Sequence, residues 1–189
     1  MIYSRLNIIF VLIWIISGCG YYSVKSSIPD HIKSIFIYPI ENLSLEDEII
    51  EYLNREIDHR FLEGNILEVT SYEDSDSHLK IKILSLSDKP INITVGQFQK
   101  TEQWEIKVKV QVIWTDISNG TNMLHDNGTD YTAIYGTGMD IGSDLIDNDG
   151  DGLIDGDDSD EFGLPREGAM RIISSKISNE IIEKIKTTW

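Results

Sequence analysis

The sequence predicts an α+β fold of two layers, with two helices packed on one face of a four- or five-stranded mixed, mostly antiparallel sheet. Three observations predict it. Residues 104–114 alternate strictly, with Trp104, Ile106, Val108, Val110, Val112 and Trp114 on one face and Glu105, Lys107, Lys109 and Gln111 on the other. That is the period of a strand with one packed and one wet face. Two other stretches repeat apolar residues at helical spacing. The segments run β-α-β-β-β-β-α, and one-sided strands need helices on their packed side only.

Each element has its own signal. Residues 32–38 are β-branched and aromatic and stop at Pro39, which reads as a first strand. Ser44 followed by Asp47 predicts a capping-box start, with the acid near the positive end of the helix dipole. The helix then carries Ile49, Ile50, Leu53, Ile57 and Phe61 on one stripe and stops at Gly64. A short strand is predicted at 66–70 and a strand at 79–86, broken by Asp88-Lys89-Pro90. After 104–114, Ser118-Asn119-Gly120 makes a turn and 123–135 returns as a strand. Pro165 opens the last helix, whose stripe of Ala169, Ile172, Ile173, Ile177, Ile181 and Ile185 leads to Trp189.

The net charge of −16 is a local property. Nine acids and no base fall within residues 144–161, and without them the charge is −7, ordinary for a soluble domain. No basic face is available for nucleic acid, which excludes that class of partner. No internal repeat and no Pro-rich or Gly/Ser-rich linker divides the chain.

The N-terminus points to export. Arg5 and the apolar run 6–16, broken only by Asn7, form a secretory signal too short to span a bilayer. Ile16-Ser17-Gly18-Cys19 then resembles a bacterial lipobox, whose cysteine becomes the lipidated first residue of the mature protein. Cys19 is the only cysteine, and a lone thiol makes no internal disulfide in an oxidising compartment. The alternative is a cleaved signal with a leftover buried thiol. On the first reading residues 1–18 are a signal peptide, 19–30 a lipidated tether, and 31–189 one domain with an acidic insertion at 144–161. Acyl chains on Cys19 would hold that domain on a membrane.

A family resemblance begins at the same cysteine. Gly20-Tyr21-Tyr22-Ser23, then Ile28-Pro29, His31-Ile32-Lys33-Ser34-Ile35 and an element at Tyr38-Pro39-Ile40-Glu41-Asn42 are similar to the outer-membrane lipopolysaccharide-assembly lipoproteins, the LptE family. The strand end Val112-Ile113-Trp114-Thr115-Asp116 and a last helix ending in Trp are similar as well. Two departures stand out: 79–96 lacks the family's clean strand signature, and 144–161 is an insertion. The resemblance implies a non-enzymatic lipoprotein on the periplasmic side of the outer membrane. Its partner would be a lipopolysaccharide-export β-barrel, and it would assist barrel assembly and contact lipopolysaccharide. Apart from Cys19 no functional residue transfers. Lys80, Lys82, Lys107 and Lys109 fall on the wet faces of two strands, where they can meet lipid A phosphates or acidic barrel residues. They serve equally as solvating lysines that discourage sheet association.

The acidic insertion carries a second chemistry. Residues 147–158 fit a twelve-residue calcium loop, with oxygen ligands from Asp147, Asp149 and Asp151 at positions 1, 3 and 5. Gly152 supplies the sharp turn at position 6, the Leu153 carbonyl serves at 7, Asp155 at 9 and Asp158 at 12. Asp in place of Glu at position 12 resembles dockerin loops, and Asp155, Asp157, Asp160 and Glu161 offer a second, overlapping set. The flanks are not helical, so the loop is free-standing, and a solvated acidic linker is the alternative. Ca²⁺ and a covalent lipid are therefore the predicted cofactors. A lipid-anchored, calcium-dependent binding or adhesion module is the alternative function. His31, His59, His78 and His125 lack metal spacing, and no catalytic triad or phosphate loop is readable, so no enzyme is predicted.

Overall fold

The alternating strand lies inside the sheet, paired on both sides. In the computed structural model, which describes residues 28–95, 98–138 and 140–187, six strands and two helices form the predicted layers. The strands are β1 (Ser34–Ile37), β2 (Glu41–Asn42), β3 (Glu68–Val69), β4 (Ser77–Val95), β5 (Phe98–Asp116) and β6 (Thr121–Gly136). The helices are α1 (Glu48–Gly64) and α2 (Pro165–Thr187). The sheet order is β3-β1-β4-β5-β6, with β2 beside β4. Pairings β4–β5 and β5–β6 are antiparallel; β1–β3, β1–β4 and β2–β4 are parallel. Cys19 and Trp189 lie outside the described residues, as does the signal and most of the tether.

Hydrophobic burial is one-sided. Ile106, Val108, Val110 and Trp114 are fully buried, as are Leu79 and Ile83 beside them on β4. Against this face α1 lays Ile49, Leu53, Ile57 and Phe61, and α2 lays Ala169, Ile172, Ile173, Ile177, Ile181 and Ile185. Helix α2 also buries Met170, Ser174, Ser178 and Ile182, because it meets both the sheet and α1. Each fully buried Ile contributes about 1.5–3 kcal/mol of transfer free energy, which makes α2 the main apolar contributor to the helical layer.

Three local expectations are corrected. Strand β4 does not stop at Asp88-Lys89-Pro90 but runs through it, with Pro90 opposite Trp104. Neither β1 nor β2 pairs with β4 beyond Ile83. From there β4 is an edge strand, where the missing N–H of proline breaks no ladder. Ser44 does not cap α1: its hydroxyl donates to Asn42 Oδ1 at 2.7 Å, and Asp47 precedes the helix without a side-chain cap bond. The left-handed stop of α1 is taken by Asn65 at φ 46°, one residue past Gly64.

The β4–β5 hairpin is longer than the helices beneath it. Strands of 19 residues extend about 60 Å, and a 23-residue helix about 35 Å. Arg166, at the start of α2, reaches Asp88 through Nε at 2.9 Å. Trp104, opposite Pro90, still packs against the core, and the described strand residues past that pair extend beyond the start of α2.

Candidate functional site

Two regions hold side chains that the core does not need: the acidic insertion after β6 and the sheet face turned away from the helices. The insertion is closed at its base. Ile141 N–H donates to Gly163 O at 2.8 Å, and Asp140 Oδ1 accepts from Gly142 N and Gly163 N, each at 3.0 Å. A Cβ on Gly142 would stand 2.0 Å from the Glu161 carbonyl oxygen, so the two ends meet backbone to backbone. Ile141 is fully buried, and a Cβ on Gly168 of α2 would stand 2.7 Å from its Cγ2.

The insertion also grips the free edge of β6. Ile134 N–H donates to Asn148 O at 2.9 Å, and Asn148 Nδ2 returns a bond to Ile134 O at 2.6 Å. Gly136 N–H donates to Asp144 Oδ2 at 2.8 Å. Inside the loop, Glu161 is buried and accepts from Asn148 N at 2.7 Å and Asp155 N at 2.8 Å, joining its two halves. Burial pushes the Glu161 carboxyl above its ordinary range despite those two N–H bonds.

Of the six predicted metal positions, three converge. Asp147, Asp149 and Asp151 bring carboxylate oxygens within 4.8 Å of one another. The chain wraps on them: Asp147 accepts from Gly150 N at 2.6 Å and Gly152 N at 3.0 Å, and Asp149 from Asp151 N at 2.9 Å. Gly152, at φ 97°, makes the turn that position 6 demands. Leu153 is exposed, and its N–H donates to Asp151 Oδ1 at 2.7 Å. Asp155 is engaged elsewhere, its Oδ1 accepting from Leu145 N at 3.1 Å. Asp158 is buried; its Oδ1 accepts from Asp160 N at 3.1 Å, and its Oδ2 has no partner. The cost of this crowding shows in the acids themselves. Burial and then Asp151 and Asp158 push Asp149 up, against the Asp151 N–H, and burial and then Asp158 raise Asp160 to about 6.

The second region is the open sheet face. Cross-strand partners share a face, so the pairs Lys80–Ile113, Lys82–Gln111, Ser85–Lys109 and Ser87–Lys107 put all four predicted lysines on it. Two are neutralised there, Lys82 by Glu41 and Lys107 by Asp130, each at 2.7 Å. Lys80 Nζ stands 4.7 Å from the centre of the Tyr38 ring. That ring belongs to a cluster the sequence reading did not single out: Phe36, Tyr38, Tyr72 and His78. Edge contacts join Phe36 to Tyr38 at 5.0 Å and to Tyr72 at 5.5 Å, and His78 lies tilted on Tyr72 at 4.6 Å. The available signal was Phe36 and Tyr38 alternating with Ile35 and Ile37 along β1 and the residue after it. Asn148, Glu161 and Gly142 were missed as loop braces, because their partners lie 13 to 19 residues away.

No protein family matches the chain by sequence, and no curated protein does. Solved structures match it by fold. A Xanthomonas campestris protein of the DUF330 family is similar with a TM-score of 0.50 at 9% identity, over 86% of this chain and 88% of that one. A minor lipoprotein from Acinetobacter baumannii gives 0.46 at 8% identity, over 82% and 93%. An uncharacterized lipoprotein B from Nitrosomonas europaea gives 0.44 at 11% identity, over 84% of each chain. The first likeness shows the fold, and bacterial lipoproteins are among these neighbours.

Proposed function

We propose that this chain is an outer-membrane lipoprotein, anchored on the periplasmic side through lipid on Cys19. It acts without catalysis as the partner of a lipopolysaccharide-export β-barrel, assisting barrel assembly and lipopolysaccharide insertion. The observation that carries the reading is the bare sheet face with its long hairpin. A sheet covered on one side needs only a solvated second side. Here that side carries Phe36, Tyr38, Tyr72 and His78 in one ring cluster. Aromatic residues are enriched where proteins meet. Lys80 and Lys109 form no ion pair among the described residues, which leaves them for phosphates or barrel carboxylates. The hairpin beyond Asp88 adds a free strand edge that a second protein can reach. The anchor on Cys19 rests on the lipobox-like Ile16-Ser17-Gly18-Cys19 after an apolar run; among the described residues no helix is long and apolar enough to cross a membrane.

Purification of the tagged, lipidated protein from outer membranes tests this. A large β-barrel protein should copurify in near-equal amount and be lost with a Tyr38→Ala, Lys80→Glu double variant. Cys19→Ala should move the protein out of the membrane fraction. Recovery of the wild type without a barrel, together with normal surface lipopolysaccharide in a deletion strain, refutes the proposal.

A further inference from the structure

The insertion holds more negative charge than the protein around it balances. Among the described residues no ion pair reaches any carboxylate of 144–161. The two nearby cations of α2 are directed to carbonyls instead. Lys176 Nζ donates to Asp149 O, and Arg171 Nη2 donates to Asp160 O and Phe162 O. Three carboxylates converge at Asp147, Asp149 and Asp151. Convergence alone is common on acidic surfaces; Asp158 distinguishes this one. It is 8% exposed, and its Oδ2 has no hydrogen-bond partner. A buried carboxylate oxygen with no donor is costly. A cation removes the cost for all four carboxylates together.

We propose that the insertion binds one divalent cation, Ca²⁺ by chemistry, through the converging carboxylates of Asp147, Asp149 and Asp151, with Asp158, the Leu153 carbonyl and water drawn in to complete the shell. The donor set is all oxygen, without His or Cys, and the loop offers several carboxylates on an irregular backbone. Those properties suit Ca²⁺, which takes six to eight oxygens in irregular geometry, better than Mg²⁺ or a transition metal. Asp155 ties the loop to Leu145 N–H through its Oδ1. The site sits between β6 and α2. Asn148 beside it is bonded to Ile134, and the Asp149 carbonyl is held by Lys176. Metal binding therefore fixes the insertion to both elements. This inference stands independently of the barrel partnership.

The test uses the full lipidated chain in detergent micelles, stripped by chelator and titrated calorimetrically with CaCl₂ or MgCl₂. One calcium site is expected with a dissociation constant of about 10⁻⁴ to 10⁻³ M, as for extracellular modules, and with Mg²⁺ at least about tenfold weaker. Asp151→Asn and Asp158→Asn should each weaken calcium at least about tenfold. In chelator, Asp158→Asn should melt at or above the wild type, because it removes an unpartnered anion. A brace with no role in metal binding would instead lower the melting temperature and leave affinity unchanged. No calcium heat up to about 10 mM, or wild-type affinity in Asp158→Asn, overturns the proposal.

Discussion

Gly142→Ala isolates the closure of the insertion from its chemistry. An added Cβ would stand 2.0 Å from the Glu161 carbonyl oxygen, and ordinary contact begins at 3.4 Å, so backbone must retreat by about 1.4 Å. The retreat cannot be absorbed by a side chain, since the clash is with main chain. It also pulls on the Ile141 N–H bond to Gly163 O, which is 2.8 Å long. Overpacking costs about 1–3 kcal/mol and a lost hydrogen bond about 1 kcal/mol, so the variant should lose about 2–4 kcal/mol. In a domain of this size each kcal/mol moves the melting temperature by about 2–4 °C. Gly138→Ala is the control: its Cβ would meet nothing closer than 3.8 Å, so it should be neutral or slightly stabilising. Thermal melts followed by circular dichroism decide. If Gly142→Ala melts within about 1 °C of Gly138→Ala, the base of the insertion is not closed as described.

Two further outcomes follow from the ionic contacts. Arg166 reaches Asp88 at 2.9 Å, Glu46 at 3.2 Å and Glu48 at 3.3 Å, while Tyr135 OH donates to both Asp88 oxygens at 2.8 Å. Arg166→Met should therefore cost about 1–3 kcal/mol, read as a lower urea midpoint at unchanged slope; no change in midpoint would show that the hub is solvated. The second outcome is an acid limit. Backbone N–H of Lys33 and the Ser34 hydroxyl hold Asp76 below its ordinary pKa. Burial opposes ionisation of Asp116 and Asp126, but Ser118 and His31 outweigh it in the first and Lys184 and Thr129 in the second. A carboxyl with a lowered folded pKa takes up protons more readily when unfolded. Its stabilisation is therefore present above the ordinary value of 3.8 and lost as pH falls through the lower folded value. Urea melts should show a steep loss below about pH 4 that is reduced in Asp126→Asn; an unreduced slope would remove Asp126 from the account.

What the sequence revealed was what local periodicity can encode. Trp104 to Trp114 alternate because β5 has one helix-covered face, and the stripe from Ala169 to Ile185 repeats because α2 has one buried side; both are visible without knowing any partner. The continuation of β4 through Pro90 was hidden, because whether a proline breaks a ladder depends on which neighbours pair there. Ser44 had the composition of a cap, but Asn42 competes for its hydroxyl. In the insertion, Asp147, Asp149 and Asp151 were legible from spacing, since a tight loop brings alternate carboxylates together. Asp155 and Glu161 were not. The first is drawn to Leu145 and the second to Asn148 and Asp155, and irregular contacts across ten, thirteen and six residues leave no periodic trace.

The insertion and the open face are linked through the management of sheet edges. An unpaired strand edge invites association with other strands. At one end of this sheet β3 is only two residues long, which presents little edge. At the other end β6 is long, and the insertion covers its edge where Asn148 exchanges two bonds with Ile134. Two edges pair with no further strand: β4 after Ile83, which Lys89 and Pro90 blunt but do not cover, and β6 before Ile134. The first belongs to the long hairpin, and the aromatic cluster lies on the bare face of the same sheet. A partner that pairs with β4 and packs on Phe36, Tyr38 and Tyr72 would use both features at once. A partner directed to the end of β6 would first have to displace Asn148. In the proposed interface the acidic loop would bias partner choice at that end of the sheet without contributing apolar surface, because it covers the edge at Ile134 and Gly136.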